Sequence, residues 1–362
     1  MNHRMTQLLA AKAFTADATE PIDINVADPI SALHINYRGL NTNGSAGTAH
    51  PAACITKIEL VDGSDVLFSA NGREAQAMDF YHRKVESQQW LQYLNDNYFD
   101  MIFNINFGRH LWDESLALDP KKFTNLQLKI TIDLDAGGVA PDAGQLTVMA
   151  SIFDEKPIAP IGFLMHKELY SYTVVASSHE YVDLPTDYPY RKAFIRAQRY
   201  GTEPNQQISN IKLSEDNDKR VILDDSEGNI LRNWGNMTPP YKEYIAGQGN
   251  TSAQYFYCTP TQTVSGSVNS WVTASPTYHA FYDGDGGRFR TLGNAAKNWI
   301  ATVMGFQPHG VLEIPFGKQD IIEDWYDVTK IGSLRFDITA ASSVGSSQTA
   351  EVLVQQLRKY AA

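Results

Sequence analysis

Apolar and polar residues alternate with a period of two through most of the chain. In "LQLKITIDL" at 126–134 every second residue is apolar, and in "FNINF" at 103–107 phenylalanine and isoleucine alternate with asparagine. This period is typical of a β-strand with one buried face. Turns rich in glycine, asparagine, proline and aspartate, such as "DAGGVAPDAG" at 135–144, separate these short segments. The pattern predicts antiparallel β-structure.

The first residues depart from this period. Met1, Met5, Leu8 and Leu9 fall at helical spacing, which points to a helix over 2–14. The spacing predicts a short amphipathic helix in an N-terminal arm that spans 1–20. Such an arm can pack on its own domain, dock on a neighbour or rest on a membrane surface. Lys12 interrupts the apolar run that a signal peptide needs, so the sequence does not favour secretion.

A second departure lies at 74–95, where no proline or glycine occurs. Met78, Tyr81 and Val85 recur there at helical intervals, so this segment is predicted to be one helix inside the first half. Two dipeptides typical of tight turns follow strand-like segments. They are Asn71-Gly72 in the first half and Gly228-Asn229 in the second, and both are predicted to be turns.

Four short segments occur twice, in the same order, in the two halves of the chain. The pairs are "ITKIEL" (55–60) and "ISNIKL" (208–213), "INFG" (105–108) and "IPFG" (314–317), "DPKKFTNLQLKIT" (119–131) and "DVTKIGSLRFDIT" (327–339), and "LTVMASIF" (146–153) and "EVLVQQL" (351–357). Ordered repetition of this kind indicates an internal duplication. The chain is therefore predicted to contain two copies of one domain.

Each half contains about eight strand candidates, which favours a jelly roll. The sequence thus predicts an all-β fold of two tandem antiparallel eight-stranded jelly-roll barrels with a few short helices. The first barrel is expected over 21–160 and the second over 161–362, with the seam within 155–168. The second half is longer between its first two repeated motifs, and the extra residues, rich in serine, threonine, glycine and tyrosine, form an insertion at about 235–300.

Composition narrows the functional classes. A length of 362 residues suits two domains, and 20% charged with 43% hydrophobic residues is a globular balance. A net charge of −11 without a cluster of lysine and arginine argues against direct sequence-specific nucleic-acid binding. The longest apolar run, "IAPIGFLM", is too short to span a membrane. Cys54 and Cys258 lie at unrelated places in the repeat, which predicts two free thiols.

Metal motifs are absent from the sequence. The histidines nearest to acids, His166 with Glu168 and His179 with Glu180, lie at the seam and are predicted to be surface residues. In "YDGDGGRF" two aspartates, Asp283 and Asp285, are spaced as in some calcium loops. The closing glutamate of such a loop is missing, so a glycine-rich turn is the preferred interpretation, and cation binding is left open.

Catalytic motifs are also absent. The chain has no GxSxG elbow, and "GQGNTS" at 247–252 lacks the lysine of a phosphate loop. Neighbouring acids such as Asp113 with Glu114 and Glu323 with Asp324 are predicted to be surface charges, because acids are abundant throughout the chain. The sequence therefore predicts no catalytic, cofactor-binding or metal-binding residues, no required cofactor and no enzymatic activity.

The four repeated motifs, the N-terminal arm and the insertion together resemble the double jelly-roll major capsid proteins of tailless icosahedral viruses. This family includes the coat proteins of membrane-containing bacteriophages and, more distantly, the adenovirus hexon. The resemblance implies a structural coat protein, made in the host cytoplasm and located in the virion. It also implies a homotrimer that forms a pseudo-hexameric capsomer and contacts neighbouring trimers and minor capsid or vertex proteins. The insertion would form a tower or clasp, and the arm would lie near an internal membrane or the neighbouring trimer.

The alternative is a two-jelly-roll protein that binds or hydrolyses glycans. Aromatic and acidic residues of the insertion would then form a sugar platform, and the candidates are Tyr255, Tyr257, Trp271 and Asp283. Such proteins are usually exported, which the N-terminal sequence does not favour. Oligomeric mass separates the two hypotheses, because a coat protein is expected to be a stable trimer.

Overall fold

The computed structural model describes most of the chain. The described residues are 2–41, 47–137, 143–234, 237–248, 254–270, 279–293, 298–345 and 348–360. Strands dominate this part of the chain, and it contains two α-helices. The all-β prediction is confirmed.

The first half forms two four-stranded sheets. Its strands are β1 (Arg4–Phe14), β2 (Ala18–Asp23), β3 (Ile30–Asn41), β4 (Ile55–Asp62), β5 (Asp65–Ala70), β6 (Leu91–Tyr93), β7 (Asn97–Asn106), β8 (Leu126–Ile132) and β9 (Gly144–Ile152), with helix α1 (Gly72–Arg83) between β5 and β6. The strand orders are β1-β9-β3-β7 and β2-β8-β4-β5. Alternating side chains of the eight strands in these two sheets fill one hydrophobic core, as in a jelly roll.

The second half repeats this arrangement. Its strands are β10 (Gly162–Thr173), β11 (His179–Leu184), β12 (Tyr190–Ala197), β13 (Ile208–Glu215), β14 (Arg220–Ser226), β21 (Val311–Pro315), β22 (Leu334–Ala340) and β23 (Thr349–Lys359), with helix α2 (Glu227–Trp234) after β14. The orders are β10-β23-β12-β21 and β11-β22-β13-β14. Strand β5 is hydrogen-bonded in parallel to β10, so one sheet of each barrel joins into a continuous eight-stranded sheet.

The insertion lies between α2 and β21. Its strands are β15 (Tyr241–Gln248), β16 (Gln254–Tyr257), β17 (Pro260–Ser270), β18 (His279–Asp285), β19 (Arg288–Gly293) and β20 (Asn298–Pro308). They form the sheets β17-β20-β15-β6 and β16-β19-β18. Because β6 belongs to the first half, the insertion rests on both halves. The parallel pairing of β15 with β6 ties the insertion to the first half as well as to the second.

Strand registers confirm the duplication residue by residue. Ile58 lies opposite Ile130 in the β4–β8 ladder, and Ile211 lies opposite Ile338 in the β13–β22 ladder. Leu126 and Leu334, which the repeated motifs align, each begin the second strand of their ladder. The same irregularity interrupts both ladders, since one residue is skipped after Ile55 in the first half and one after the equivalent isoleucine in the second.

Both predicted tight turns are instead helix starts. Asn71 caps α1, because its side chain accepts a hydrogen bond from the Glu74 amide while the Glu74 carboxylate accepts one from the Asn71 amide. In the second half, Ser226 Oγ accepts from the Asn229 amide at the start of α2. Asparagine and serine favour helix caps as well as turns, so the local sequence is ambiguous.

The predicted helix at 74–95 is shorter than expected. Helix α1 ends at Arg83, because Lys84 adopts a left-handed backbone with a φ of 58°. The following residues lead to the short strand β6, and the side chain of Val85 is exposed. A helix inside the first half is thus confirmed, and its extension to residue 95 is wrong.

The N-terminal helix prediction is wrong. Residues 4–14 form β1, which pairs antiparallel with β9 and completes a sheet of the first barrel. The ladder shifts register between Gln7 and Leu9, so a bulge interrupts the period of two. Leu8 and Leu9 both pack against the core at this point, which gives the apolar residues their apparent helical spacing. An isolated short helix is marginal, whereas the free edge of β9 supplies backbone partners.

Candidate assembly surfaces

Helix α1 lies at the joint between the two barrels. It belongs to the first half, yet Tyr81 donates from its hydroxyl to the carbonyl of Val311, 2.6 Å away on β21. Lys192 Nζ of β12 donates to the Tyr81 carbonyl at 2.8 Å, and His309 Nε2 lies 2.9 Å from Gln76 Oε1. All five residues are buried. The joint is therefore an internal polar interface that fixes one barrel against the other.

A buried carboxylate at this joint is held by two lysines. Lys84 Nζ of the first half lies 2.9 Å from Glu313 Oε2, and Lys192 of the second half pairs with the other carboxylate oxygen. Burial would raise the pKa of Glu313, but the two ammonium groups outweigh burial and lower it. Removal of one partner would leave a charge in a water-poor site, which is costly.

Three other buried glutamates have raised pKa values. Burial raises the pKa of Glu74 on α1, of Glu227 on α2 and of Glu243 on β15 to about 7 in each case. Glu243 accepts hydrogen bonds from the Thr259 amide at 2.6 Å and from Gln89 Nε2 at 3.0 Å. This carboxyl group therefore ties the insertion to the segment that follows α1.

Histidines in the same interface are kept neutral. Burial lowers the pKa of His50 and of His166 to about 3 in each case. The surface position predicted for His166 is wrong: Gln355 Nε2 donates to His166 Nε2 at 2.6 Å, and the ring packs on Phe68. Strand β10 has neighbours on both edges, which the local sequence does not reveal. His179, by contrast, is largely exposed and contacts Asp337 at 2.7 Å.

The predicted surface acids divide into two groups. Glu114 is exposed, as predicted, but Asp113 is buried and forms a bidentate ion pair with Arg109. Asp113 also accepts from the Arg109 amide, just as Asp324 accepts from the Lys318 amide in the second half. The surface prediction for Asp113 is wrong because this carboxylate fixes the turn that follows "INFG", the first copy of the repeated "INFG"/"IPFG" motif.

The residues proposed for a sugar platform do not form an open one. Tyr257 is largely buried, and the guanidinium of Arg288 covers the ring of Tyr255 at 4.0 Å. Asp283 lies within β18, at the bulge that precedes the β18–β19 turn, with a φ of 57°. Trp271 lies outside the described residues.

Metal and thiol chemistry find little support in the described part of the chain. No three histidine, cysteine, aspartate or glutamate side chains among these residues lie together as a metal site would require, and this includes the loop of Asp283 and Asp285. Cys54 and Cys258 are both buried free thiols, as predicted. Burial raises the pKa of Cys54 to about 12, which disfavours the nucleophilic thiolate. No described helix is long and apolar enough to cross a membrane.

Strands β1 and β14 each form one edge of their sheet. Within the described residues, β1 pairs only with β9, and β14 pairs only with β13. Both edges carry exposed apolar side chains: Met5 is 56% exposed on β1, and Val221 is 47% exposed on β14. Open edges with apolar side chains are natural sites for association with another chain.

Comparison with solved structures decides the architecture. The chain is similar to the STIV major capsid protein, with a TM-score of 0.61, 11% identity, and coverage of 99% of this chain and 98% of that one. It has the double jelly-roll fold. The major capsid protein P2 from bacteriophage PM2 gives a TM-score of 0.56 at 11% identity, with the same two coverages. A third match is VP54 of PBCV-1, with a TM-score of 0.59, 8% identity, and coverage of 98% of this chain and 94% of that one.

Sequence comparison adds no closer relative. No protein-family model and no curated protein matches the chain. The double jelly roll is therefore shared with proteins that have almost no residue identity to this one. The predicted fold class is confirmed, and the glycan-binding alternative gains no support from these comparisons.

Proposed function

We propose that this double jelly-roll chain is the structural major capsid protein of a tailless icosahedral virus. The observation that carries the proposal is the extent of the match. Nearly the whole chain superposes on nearly the whole of two proteins described as major capsid proteins, so the likeness includes both barrels and the insertion between their strands. The location that follows is the virion, after synthesis in the host cytoplasm.

The duplicated architecture suits a homotrimer in physical terms. Three copies place six similar barrels in a ring, and such a pseudo-hexameric capsomer packs against neighbours on six sides. The two halves have diverged in sequence, which lets adjacent contacts differ where true sixfold symmetry would make them identical. Contacts with neighbouring trimers, and with minor capsid or vertex proteins, are part of the proposal.

The division of the chain is proposed in the same terms. The two barrels divide near residue 160, between β9 and β10, and the insertion at about 235–300 forms the tower on the outer surface. An arm at 1–20 that contacts an internal membrane stays a prediction. The membrane contact was inferred from an amphipathic helix, whereas residues 4–14 form a strand of the first barrel.

Absence of catalysis is also part of the proposal. The buried ionisable groups described above lie between elements of the fold, where they join α1, the insertion and the second barrel. Their hydrogen bonds and ion pairs hold these elements together: Glu243 accepts from the Thr259 amide and from Gln89, and Glu313 pairs with Lys192. The net charge of −11 fits a coat that does not bind nucleic acid directly.

The mass of the purified chain tests the proposal. Light scattering coupled to size-exclusion chromatography is expected to give about 121 kDa, which is three times 40.3 kDa. A monomer at micromolar concentration would contradict the capsid proposal. Turnover on a glycan by the purified chain would also contradict it.

A further inference from the structure

The joint within the chain is a template for contact between chains. Strand β5 of the first barrel runs parallel to β10 of the second, with Phe68 opposite His166 and Ser69 opposite Lys167. Two ion pairs flank this ladder. Asp65 on β5 pairs with Arg358 of β23, and Lys57 on β4 pairs with Glu168 of β10 at 3.1 Å.

Strand registers identify the counterpart of β5. Leu60 of β4 lies opposite Phe68, and its counterpart Leu213 of β13 lies opposite Leu223 of β14. Both ladders then skip one residue at the same place. Leu223 therefore occupies the position of Phe68, and β14 is the second-barrel counterpart of β5.

Strand registers also identify the counterpart of β10. His166 lies opposite Gln355 of β23, and Met5 of β1 lies opposite Ser151 of β9. Gln355 and Ser151 occupy equivalent positions. Gln355 lies opposite Lys192 of β12, which lies opposite Pro315 of "IPFG". Ser151 lies opposite Ala32 of β3, which lies opposite Asn106 of "INFG". Met5 therefore occupies the position of His166, and β1 is the first-barrel counterpart of β10.

Burial shows which side of each barrel is covered within the chain. All eight residues of β12 are buried, because α1 covers the outer face of the second-barrel sheet. The counterpart strand β3 instead alternates, and it exposes Asn36 and Arg38 on its outer face. The first barrel thus lacks, within one chain, the neighbour that the second barrel has.

We infer that β14 of one copy pairs in parallel with β1 of the next copy, with Leu223 opposite Met5, so that the contact between chains repeats the joint within the chain. This inference rests on the proposed trimer and specifies its interface. A contact of this kind joins two different surfaces, so repetition produces a ring when the rotation closes. In a closed ring of three chains, the joint within each chain alternates with the contact between neighbouring chains.

Charge complementarity supports the pairing. Arg220 on β14 is the counterpart of Asp65 on β5, because both lie at the same position before the register shift of their ladder. Asp154 is the counterpart of Arg358, because each lies three residues after the equivalent positions Ser151 and Gln355. The acid–base pair of the joint within the chain therefore recurs between chains with its two signs exchanged. Within one copy Arg220 pairs with Glu215 and Asp154 pairs with Arg4, and their side chains are 68% and 24% exposed, so a contact between chains would extend these two ion pairs into one network.

The second flanking pair remains complementary as well. The counterpart of Lys57 is Asn210, and the counterpart of Glu168 is Gln7, so an ion pair is replaced by two amides that can donate and accept. At the centre, Leu223 and Met5 replace an aromatic contact with an aliphatic one. None of these three position pairs places like charges directly opposite each other, which would oppose association.

Disulfide trapping tests the register. Directly opposed residues on adjacent strands have Cα atoms within the range that a disulfide spans. The variant with Met5→Cys and Leu223→Cys is expected to form covalent dimers and trimers on mild oxidation, seen on non-reducing gels. Thr6→Cys with Asp224→Cys, the next pair along, is expected to do the same. Met5→Cys with Val175→Cys, which places the second thiol at an exposed site elsewhere, is the matched control.

Charge reversal tests the exchanged ion pair. Arg220→Asp alone is expected to decrease the trimer fraction, and adding Asp154→Arg is expected to restore it, because the double variant recreates the sense of the pair within the chain. Lys219→Asp is the control, since it makes the same charge change at the neighbouring residue. Circular dichroism shows whether each variant is folded.

The outcomes separate this inference from the proposed function. Covalent trimers for both designed pairs, with rescue by the double charge reversal, would support the interface. A stable trimer that shows no cross-linking at either pair and no response to the charge changes would overturn the inference and leave the capsid proposal standing. A monomeric wild-type chain would overturn both.

Discussion

The buried carboxyl group of Glu74 makes stability depend on pH in a direction unusual for an acid. Glu74 lies in the first turn of α1 at the joint and is completely buried. One carboxylate oxygen accepts from the Asn71 amide at 2.8 Å, and the other has no hydrogen-bond partner among the described residues. Burial raises the pKa of Glu74 from 4.5 to about 7. The folded state therefore holds a proton that the unfolded state releases.

The sign and size of the effect follow by linkage. Because the folded-state pKa is the higher one, the stabilising contribution is complete below pH 4.5 and is lost as the pH rises through 7. At about 1.4 kcal/mol for each pH unit between the two values, roughly 2–3 kcal/mol is lost between pH 5 and pH 8. The variant Glu74→Gln keeps an acceptor for Asn71 and has no proton to release.

Urea unfolding of the wild type and of Glu74→Gln at pH 5 and pH 8 measures this contribution. The free energy of unfolding of the variant is expected to gain roughly 2–3 kcal/mol relative to the wild type between pH 5 and pH 8. Buried histidines such as His50 titrate in both proteins, so their effect cancels in the difference. Glu323→Gln, at an exposed carboxylate, is the matched control. A difference that stays constant with pH, or that changes in the opposite direction, would refute the reasoning.

Three further predictions concern stability. Lys192→Met leaves Glu313 without one of its two ammonium partners in a buried site, and the free energy of unfolding is expected to fall by about 3 kcal/mol or more in urea titrations. Tyr81→Phe removes the hydrogen bond to the Val311 carbonyl and is expected to cost about 1–2 kcal/mol in the same assay, with far-UV circular dichroism unchanged. Deletion of residues 2–14 removes β1 and exposes the edge of β9, so the melting temperature is expected to fall; an unchanged melting curve would contradict the strand assignment.

The duplication was predictable because the repeated residues are those that fix strand register. Ile58 and Ile211 recur at one spacing since each must face the same core position in its barrel. The same holds for Leu126 and Leu334, which begin equivalent strands. A jelly roll imposes this spacing through its turns and ladders, so the fold class could be predicted from the sequence alone.

The joint was not predictable for a physical reason. His166 and Asp113 look like surface residues locally, and only contacts with distant segments bury them. The ion pair of Lys192 with Glu313 joins residues more than a hundred positions apart. The strand at residues 4–14 was missed because its bulge mimics helical spacing. The periodicity of a segment indicates the secondary structure of that segment alone, whereas the burial and pairing of these side chains depend on contacts between segments distant in the sequence.

Electron microscopy of the purified recombinant chain tests the central claim most directly. The account predicts class averages that show rings of three chains, with a nearly sixfold outline made by six barrels and with density from the insertion on one face. Single particles of about 40 kDa, without rings at any concentration tested, would contradict it.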